Sequence, residues 1–168
     1  MDSDSKPGFI ERLTSLLLRE PEDRAQLMQT LHAAYERNLM DADALTIIEG
    51  ALAASETRVT DVMVPRAQMD VIDIDDPLLE TLPEIIEAAH SRFPVIDGDR
   101  DNILGILLAK DLLRLHTEEH FELRDWLRPA VFIPESKRLN VLLREFRVSR
   151  NHMAIVVDEY GGGAGIAT

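Results

Sequence analysis

The chain has 168 residues, 45% of them hydrophobic, which suits one domain or two small ones with a real core. Acidic residues outnumber basic ones by 31 to 18, and the formal net charge of −13 excludes a nucleic-acid binder and adsorption to an anionic membrane surface. There is no cysteine, which excludes disulfides and thiolate metal sites and fits a reducing cytoplasm.

Met1 to Pro7 is polar and no cleavable apolar core follows, so no secretory signal is expected. Phe9, Ile10, Leu13, Leu16 and Leu17 have helical spacing. A second helix is expected after Pro21, placed as a first-turn residue, with Leu27, Met28, Leu31 and Tyr35 on one stripe. Asp41 or Asp43 caps a third, which buries Leu45, Ile48, Leu52 and Ala53. Residues 1–57 therefore read as a helical segment that packs on the main domain or on a partner subunit.

The remainder repeats itself. Asp61 and Pro65 in "TDVMVPRAQMDVIDID" recur 64 residues later as Asp125 and Pro129 in "RDWLRPAVFIPESK". A helix follows in each copy, carrying Leu78, Leu82, Ile85, Ile86 and Ala89 in the first and Leu139, Leu142, Leu143 and Phe146 in the second. Then come a short strand ("RFPVID" against "MAIVVD"), a turn ("GDRDN" against "EYGGGA"), and a strand opening with Gly-Ile at 105–106 and 165–166. The first copy continues into "AKDLLRL", read as a helix; the second stops at Thr168, which reads as a boundary inside or just before its motif. The longest apolar run, "ILGILLA" at 103–109, is too short to span a bilayer. The expected fold is α/β (α+β): two β-α-β-β-α repeats, 58–118 and 119–168, packed sheet to sheet about a pseudo-two-fold axis. Clefts between the copies are the natural ligand sites.

This pattern resembles a tandem pair of CBS domains, a Bateman module. The stretches "TRVTDVMVPRAQMDVI", "HSRFPVIDGDRDNILGILLAKDLL" and "NHMAIVVDEYGGGAGIAT" are similar to the CorC/HlyC group, which is linked to magnesium and cobalt efflux. The resemblance implies AMP or ATP, with or without Mg2+, as a regulatory ligand between the copies. It implies a homodimer through the CBS pairs, a membrane transporter as partner, and a cytoplasmic location, peripheral to the inner face of the membrane.

The family motif Gly-Ile-x-Thr-x-x-Asp aligns with Gly105, Ile106, Leu108 and Asp111, so Asp111 matches the ribose-binding acid while Leu108 replaces the hydroxyl. In the second copy it aligns with Gly165, Ile166 and Thr168, the hydroxyl position. Further contacts implied by position are Val62, Met63, Val64, Pro65, Arg66 and Met69, with Ala130, Val131 and Phe132 in the second copy. His90, Ser91 and Arg92 precede one core strand, and Asn151, His152 and Met153 the other. Arg66, Arg92 and Lys110 are cations that could meet phosphates. Each also has an ordinary structural reading: an ion pair for the arginines, a hydrogen-bonded partly buried histidine, a helix N-cap for Asp111.

Three rival signals are weaker. "HTEEH" at 116–120 matches an inverted zinc-protease motif, but it falls in a polar connector without an identifiable third ligand. The acids of "DIDD" at 73–76 read as turn and helix-start residues, and no protein-only metal site is expected. "DEYGGGAGIAT" has no Walker lysine after its glycines, and no nucleophile–base arrangement is legible, so no catalytic activity is expected. The alternative to a nucleotide module is a ligand-free dimerisation and interaction scaffold with degenerate CBS pockets, favoured by Leu108.

Overall fold

The computed structural model describes residues 21–116 and 121–168. The helix expected over Phe9–Leu17 and the end of "HTEEH" lie outside them. The chain forms two compact units, Met1–Leu52 and Ala53–Thr168.

The first unit contains α1 (Arg24–Glu36) and most of α2 (Ala42–Ala54). Asp23 begins α1 by accepting a bond from the Gln26 amide at 2.8 Å, so Pro21 lies ahead of the cap and not in the first turn. Asp41 starts α2 in the same way, accepting from Ala44 at 2.8 Å. His32 on α1 meets Glu49 on α2 at 3.3 Å. Leu27, Met28 and Leu31 are half-buried, whereas Tyr35 is exposed. Leu45 is the buried residue of α2.

The second unit holds the repeat. Its strands are β1 (Val64–Pro65), β2 (Ile72–Asp73), β3 (Arg92–Asp97), β4 (Asp99–Leu108), β5 (Phe132–Pro134), β6 (Ala154–Val157) and β7 (Gly163–Ala167). Helix α3 (Leu78–Ala88) links β2 to β3, and α4 (Leu139–Ser149) links β5 to β6. Three strands, ordered β2-β3-β4, make one sheet, and four, ordered β1-β7-β6-β5, make the other. In each repeat the first two strands pair in parallel through the crossover helix and the last two pair antiparallel through a turn.

Side chains alternate across the sheets as strand geometry requires. Phe93, Val95 and Leu107 face α3, and Ile85 of that helix and Ile72 of β2 join them in a core. Ala154, Val156 and Ala167 face Leu142 and Phe146 of α4 in a second core. Between these residues, Ile106 of one sheet meets Ile155 and Ile166 of the other, with Met69 and Met153 alongside. This third cluster is the predicted sheet-to-sheet seam.

The expected helix stripes narrow. Ile85 and Leu142 are buried, but Ile86 and Leu143 are exposed. Ala89 is not on the stripe: it ends α3 in the left-handed region at φ 54, and Arg150 ends α4 at φ 55. "AKDLLRL" forms 3-10 turns over Ala109–His116 instead of an α-helix.

The repeats exchange their leading segments. The stretch expected to be one strand of the first copy divides, and β1 joins the sheet of the second copy, pairing antiparallel with β7. Val59, ahead of it, is fully buried in the core of the second repeat. Reciprocally, Leu123 and Leu127 pack on the core of the first repeat, and Arg128 bridges to Ile106 with bonds of 2.9 Å in both directions. This crossing explains the Gly-Ile pair in each copy. A Cβ on Gly105 would lie 2.8 Å from the Arg128 carbonyl oxygen, and one on Gly165 would overlap the Val64 carbonyl oxygen.

The glycine-rich "DEYGGGAGIAT" is the turn from β6 to β7. Its Asp158 carboxylate accepts from the amides of Tyr160 and Gly162 at 2.8 and 2.9 Å, around Gly161 at φ 85. Asp73 of "DIDD" likewise accepts from the Asp75 and Gly98 amides, as a turn residue should. Among the described residues no group of acidic or histidine side chains could hold a metal ion. Among them, too, no helix is long and apolar enough to cross a membrane.

Candidate functional site

Two clefts lie between the repeats, and the pseudo-two-fold axis relates them residue by residue. The first, about 290 Å³, is lined by Val64, Gln68, Asp70, His90, Ser91, Arg92, His152, Met153, Ile166 and Thr168. The second, about 410 Å³, is lined by Arg92, Ile106, Leu108, Arg128, Pro129, Val131, Arg150, Asn151, His152 and Met153. Val64 of the first corresponds to Arg128 of the second, both on the segment that crosses between repeats. Ile166 and Thr168 correspond to Ile106 and Leu108, and His90 to Asn151. Arg92, His152 and Met153 stand at the axis and line both clefts.

Their electrostatics differ. The first cleft mixes signs: His90 is 3.0 Å from Asp70, and Arg92 is the one arginine that lines it among the described residues. The second is lined by three arginines, Arg92, Arg128 and Arg150, and by no acidic residue among the described residues. Its remaining wall is largely apolar, from Ile106, Leu108, Pro129, Val131 and Met153. On a chain of net charge −13, three arginines beside an apolar concave wall can meet both negative charge and apolar surface.

Asp111 sits one ion pair behind that surface. Its side chain is only 7% exposed, and its Oδ2 accepts from Arg128 Nη2 at 3.1 Å. The Arg128 side chain is 53% exposed and reaches the cleft itself. A buried carboxylate needs such a partner, because desolvation otherwise disfavours its charge.

The predicted residues thus divide. Val64, His90, Ser91, Arg92, Ile106, Leu108, Val131, Asn151, His152, Met153, Ile166 and Thr168 all reach a cleft. Others lie elsewhere. Arg66 is held by Asp99 and Asp101 at 2.8 Å each, at the start of β4. Met69 is 3% exposed in the seam between the sheets, and Ala130 packs against the same cluster. Met63 packs on the core of the second repeat, and Pro65 pairs with Gly165. Val62 and Phe132 are each 53% exposed but line neither cleft, and Lys110 is exposed. Arg128, Pro129, Arg150, Gln68 and Asp70 went unpredicted. Arg128 stands beside the repeated Pro129, so its signal was the repeat alignment itself. Arg150 aligns with Ala89, and only the left-handed helix end turns that position toward the cleft.

Two repeats that exchange leading segments and enclose paired clefts beneath Gly-Ile strands define a tandem CBS pair. The CBS domain model matches residues 59–118, and a model described as the N-terminal region of NMB0537 matches residues 19–54. The chain belongs to the CorC family of CBS-domain proteins. It is 45% identical over 98% of its length to the magnesium and cobalt efflux protein CorC of Vibrio cholerae, and it spans 57% of the length of that relative. A conserved domain from Neisseria meningitidis, described as functionally unknown, superposes with a TM-score of 0.81 at 48% identity, over 86% of this chain and 94% of that one. The CBS domain of a bacterial CNNM/CorC family Mg2+ transporter superposes with a TM-score of 0.77 at 35% identity, over 87% of this chain and 90% of that one. Such a domain in complex with ATP superposes with a TM-score of 0.66 at 39% identity, over 72% and 87% of the two chains.

Proposed function

We propose that the chain is a regulatory, non-catalytic module that binds an adenosine nucleotide, AMP or ATP with or without Mg2+, in the second cleft. The observation that carries this reading is the convergence of Arg92, Arg128 and Arg150 on an apolar cleft between the repeats. Ile106, Val131 and Met153 suit the faces of a purine, and the guanidinium groups suit phosphates. Asp111 is the acid for the ribose hydroxyls. The ATP complex of a related CBS domain supports an adenosine nucleotide as the class of ligand.

The cleft takes walls from both repeats, so a bound nucleotide bridges them. It shifts their relative packing only insofar as it prefers one arrangement over the other. In the whole protein that shift would be read by a second copy, through a CBS-pair homodimer, and by a transporter of magnesium or cobalt at the cytoplasmic face of the membrane. The rival reading, a ligand-free scaffold, is favoured by Leu108, which stands where the motif has a hydroxyl.

Titration calorimetry with AMP, ADP and ATP, with and without Mg2+, separates the two. Saturable binding is expected, and Asp111→Ala should weaken it about tenfold, as loss of a charge-assisted hydrogen bond does. Absence of heat with every nucleotide would leave the scaffold reading in place.

A further inference from the structure

Asp111 and Arg128 are both assigned to the nucleotide above, yet in this structure they hold each other. A ribose and this arginine compete for one buried carboxylate. We infer that Arg128 is an exchangeable guard: it neutralises Asp111 while the cleft is empty and passes to the ligand's phosphates when the cleft fills. The contact thereby makes the second cleft select nucleotides over nucleosides.

The geometry suits an exchange. The backbone of Arg128 is fixed at the cleft wall by paired bonds to Ile106 at 2.9 Å, so only the side chain needs to move. That side chain is about half exposed and lines the cleft, whereas the Asp111 carboxylate is buried. A guanidinium on a long stem can leave one oxyanion for another a few ångströms away with its charge still satisfied. Asp111 cannot follow it into solvent.

The consequence is a rule about phosphate. An adenosine that engages Asp111 strips it of Arg128 and offers the arginine nothing in return. AMP offers one phosphate to the released guanidinium, and ATP offers three, shared with Arg92 and Arg150. Affinity should therefore climb steeply from adenosine to ATP, with Arg128 responsible for much of the slope.

This inference rests on the nucleotide reading, and one set of titrations separates the two. Adenosine, AMP and ATP are titrated into the chain and into Arg128→Gln. Removal of the guard should strengthen adenosine binding severalfold and weaken ATP binding about tenfold, so the two effects carry opposite signs. A parallel loss of both ligands, or no change in either, overturns the guard and leaves the nucleotide site standing. No binding of any of the three to the unmodified chain overturns both. Because Arg128→Gln leaves a buried carboxylate unpaired and could unfold, the substitution is repeated on Asp111→Asn, where no charge is orphaned. There it should still cost ATP about tenfold and adenosine nothing. Equal affinities of Asp111→Asn and the double variant for ATP would overturn the hand-over to phosphate.

Discussion

Of the strands and crossover helix of each repeat, the aromatic ring of the core comes from a strand in the first, Phe93 on β3, and from a helix in the second, Phe146 on α4; Phe121 and Trp126, ahead of the second repeat, also pack on the first core. The positions are reciprocal. Phe93 aligns with Ala154, and Ile85 on α3 aligns with Phe146, since each pair occupies the same register in its repeat. Leu107 opposite Phe93 aligns with Ala167 opposite Ala154. The backbone frame is held constant while side-chain volume moves from sheet to helix. Frame and filling are thus separable, as expected when cores tolerate substitution that conserves total volume.

That separation can be broken deliberately. Phe93 is 2% exposed, and Phe93→Ala should destabilise the second unit by about 3–4 kcal/mol through lost transfer energy and a cavity. Adding Ile85→Phe copies the arrangement of the second repeat and should recover part of the loss. Urea unfolding of the two variants decides it. A double variant no more stable than Phe93→Ala would mean that the repeats are not interchangeable frames.

The clefts carry the same comparison to the surface. Six residues separate Pro65 from Ile72 in the first repeat, and three separate Pro129 from the aligned Ile133. The three extra residues form the 3-10 turn Arg66–Gln68, closed by Arg100, which donates to the carbonyls of Arg66 and Met69 at 2.9 and 2.8 Å. Gln68 then lines the first cleft where Pro129 lines the second. One cleft becomes polar and mixed in sign, and the other apolar with three arginines. Equivalent frames have yielded two different sites.

How far this was legible follows from the kind of signal each feature leaves. The repeat and the sheet-to-sheet core follow from strand and helix periods, which write themselves into the order of apolar residues, and most cleft residues follow from the resemblance to CBS pairs. The exchange of β1 does not. Val64 and Pro65 read as part of one strand with Ile72, and two-residue pairings carry no periodicity of their own. Arg66 read as a phosphate contact because its sign is right, but charge in a sequence names no partner, and Asp99 and Asp101 lie more than thirty residues away. Arg150 had no signal, since its position depends on a left-handed helix end in a residue that is not glycine.

The exchange makes its own prediction. Gly105→Ala and Gly165→Ala each press a Cβ on a carbonyl of the crossing segment, Arg128 in one repeat and Val64 in the other. Each should cost about 2–3 kcal/mol, by analogy with overpacked cores. The overlap is tighter at Gly165, but β1 is only two residues long and can detach. Strain at Gly165 should therefore appear as faster amide exchange of Val64 and Ile166, with the core intact. At Gly105 the added Cβ also meets Leu127 at 2.9 Å, a residue packed on the first core, so the loss should appear as lower global stability. Identical exchange patterns in the two variants would refute the asymmetry.

The smallest effect is expected at Arg66, where the turn of the first repeat departs from the second. Its side chain is 38% exposed and bonded to two exposed carboxylates, so Arg66→Ala should cost about 0.5–1 kcal/mol at low salt and less at high salt. Neither carboxylate is left without a donor: Asp101 still accepts from the Gly163 amide at 2.8 Å, and Asp99 from the Asp101 amide at 2.9 Å. Arg66 also lines neither cleft, so its loss should leave ATP affinity within about twofold, while Arg150→Gln should lower it about tenfold. Equal losses in the two variants would show that the turn reaches the ligand. The three extra residues would then act on both clefts through the wall that these share, Arg92, His152 and Met153.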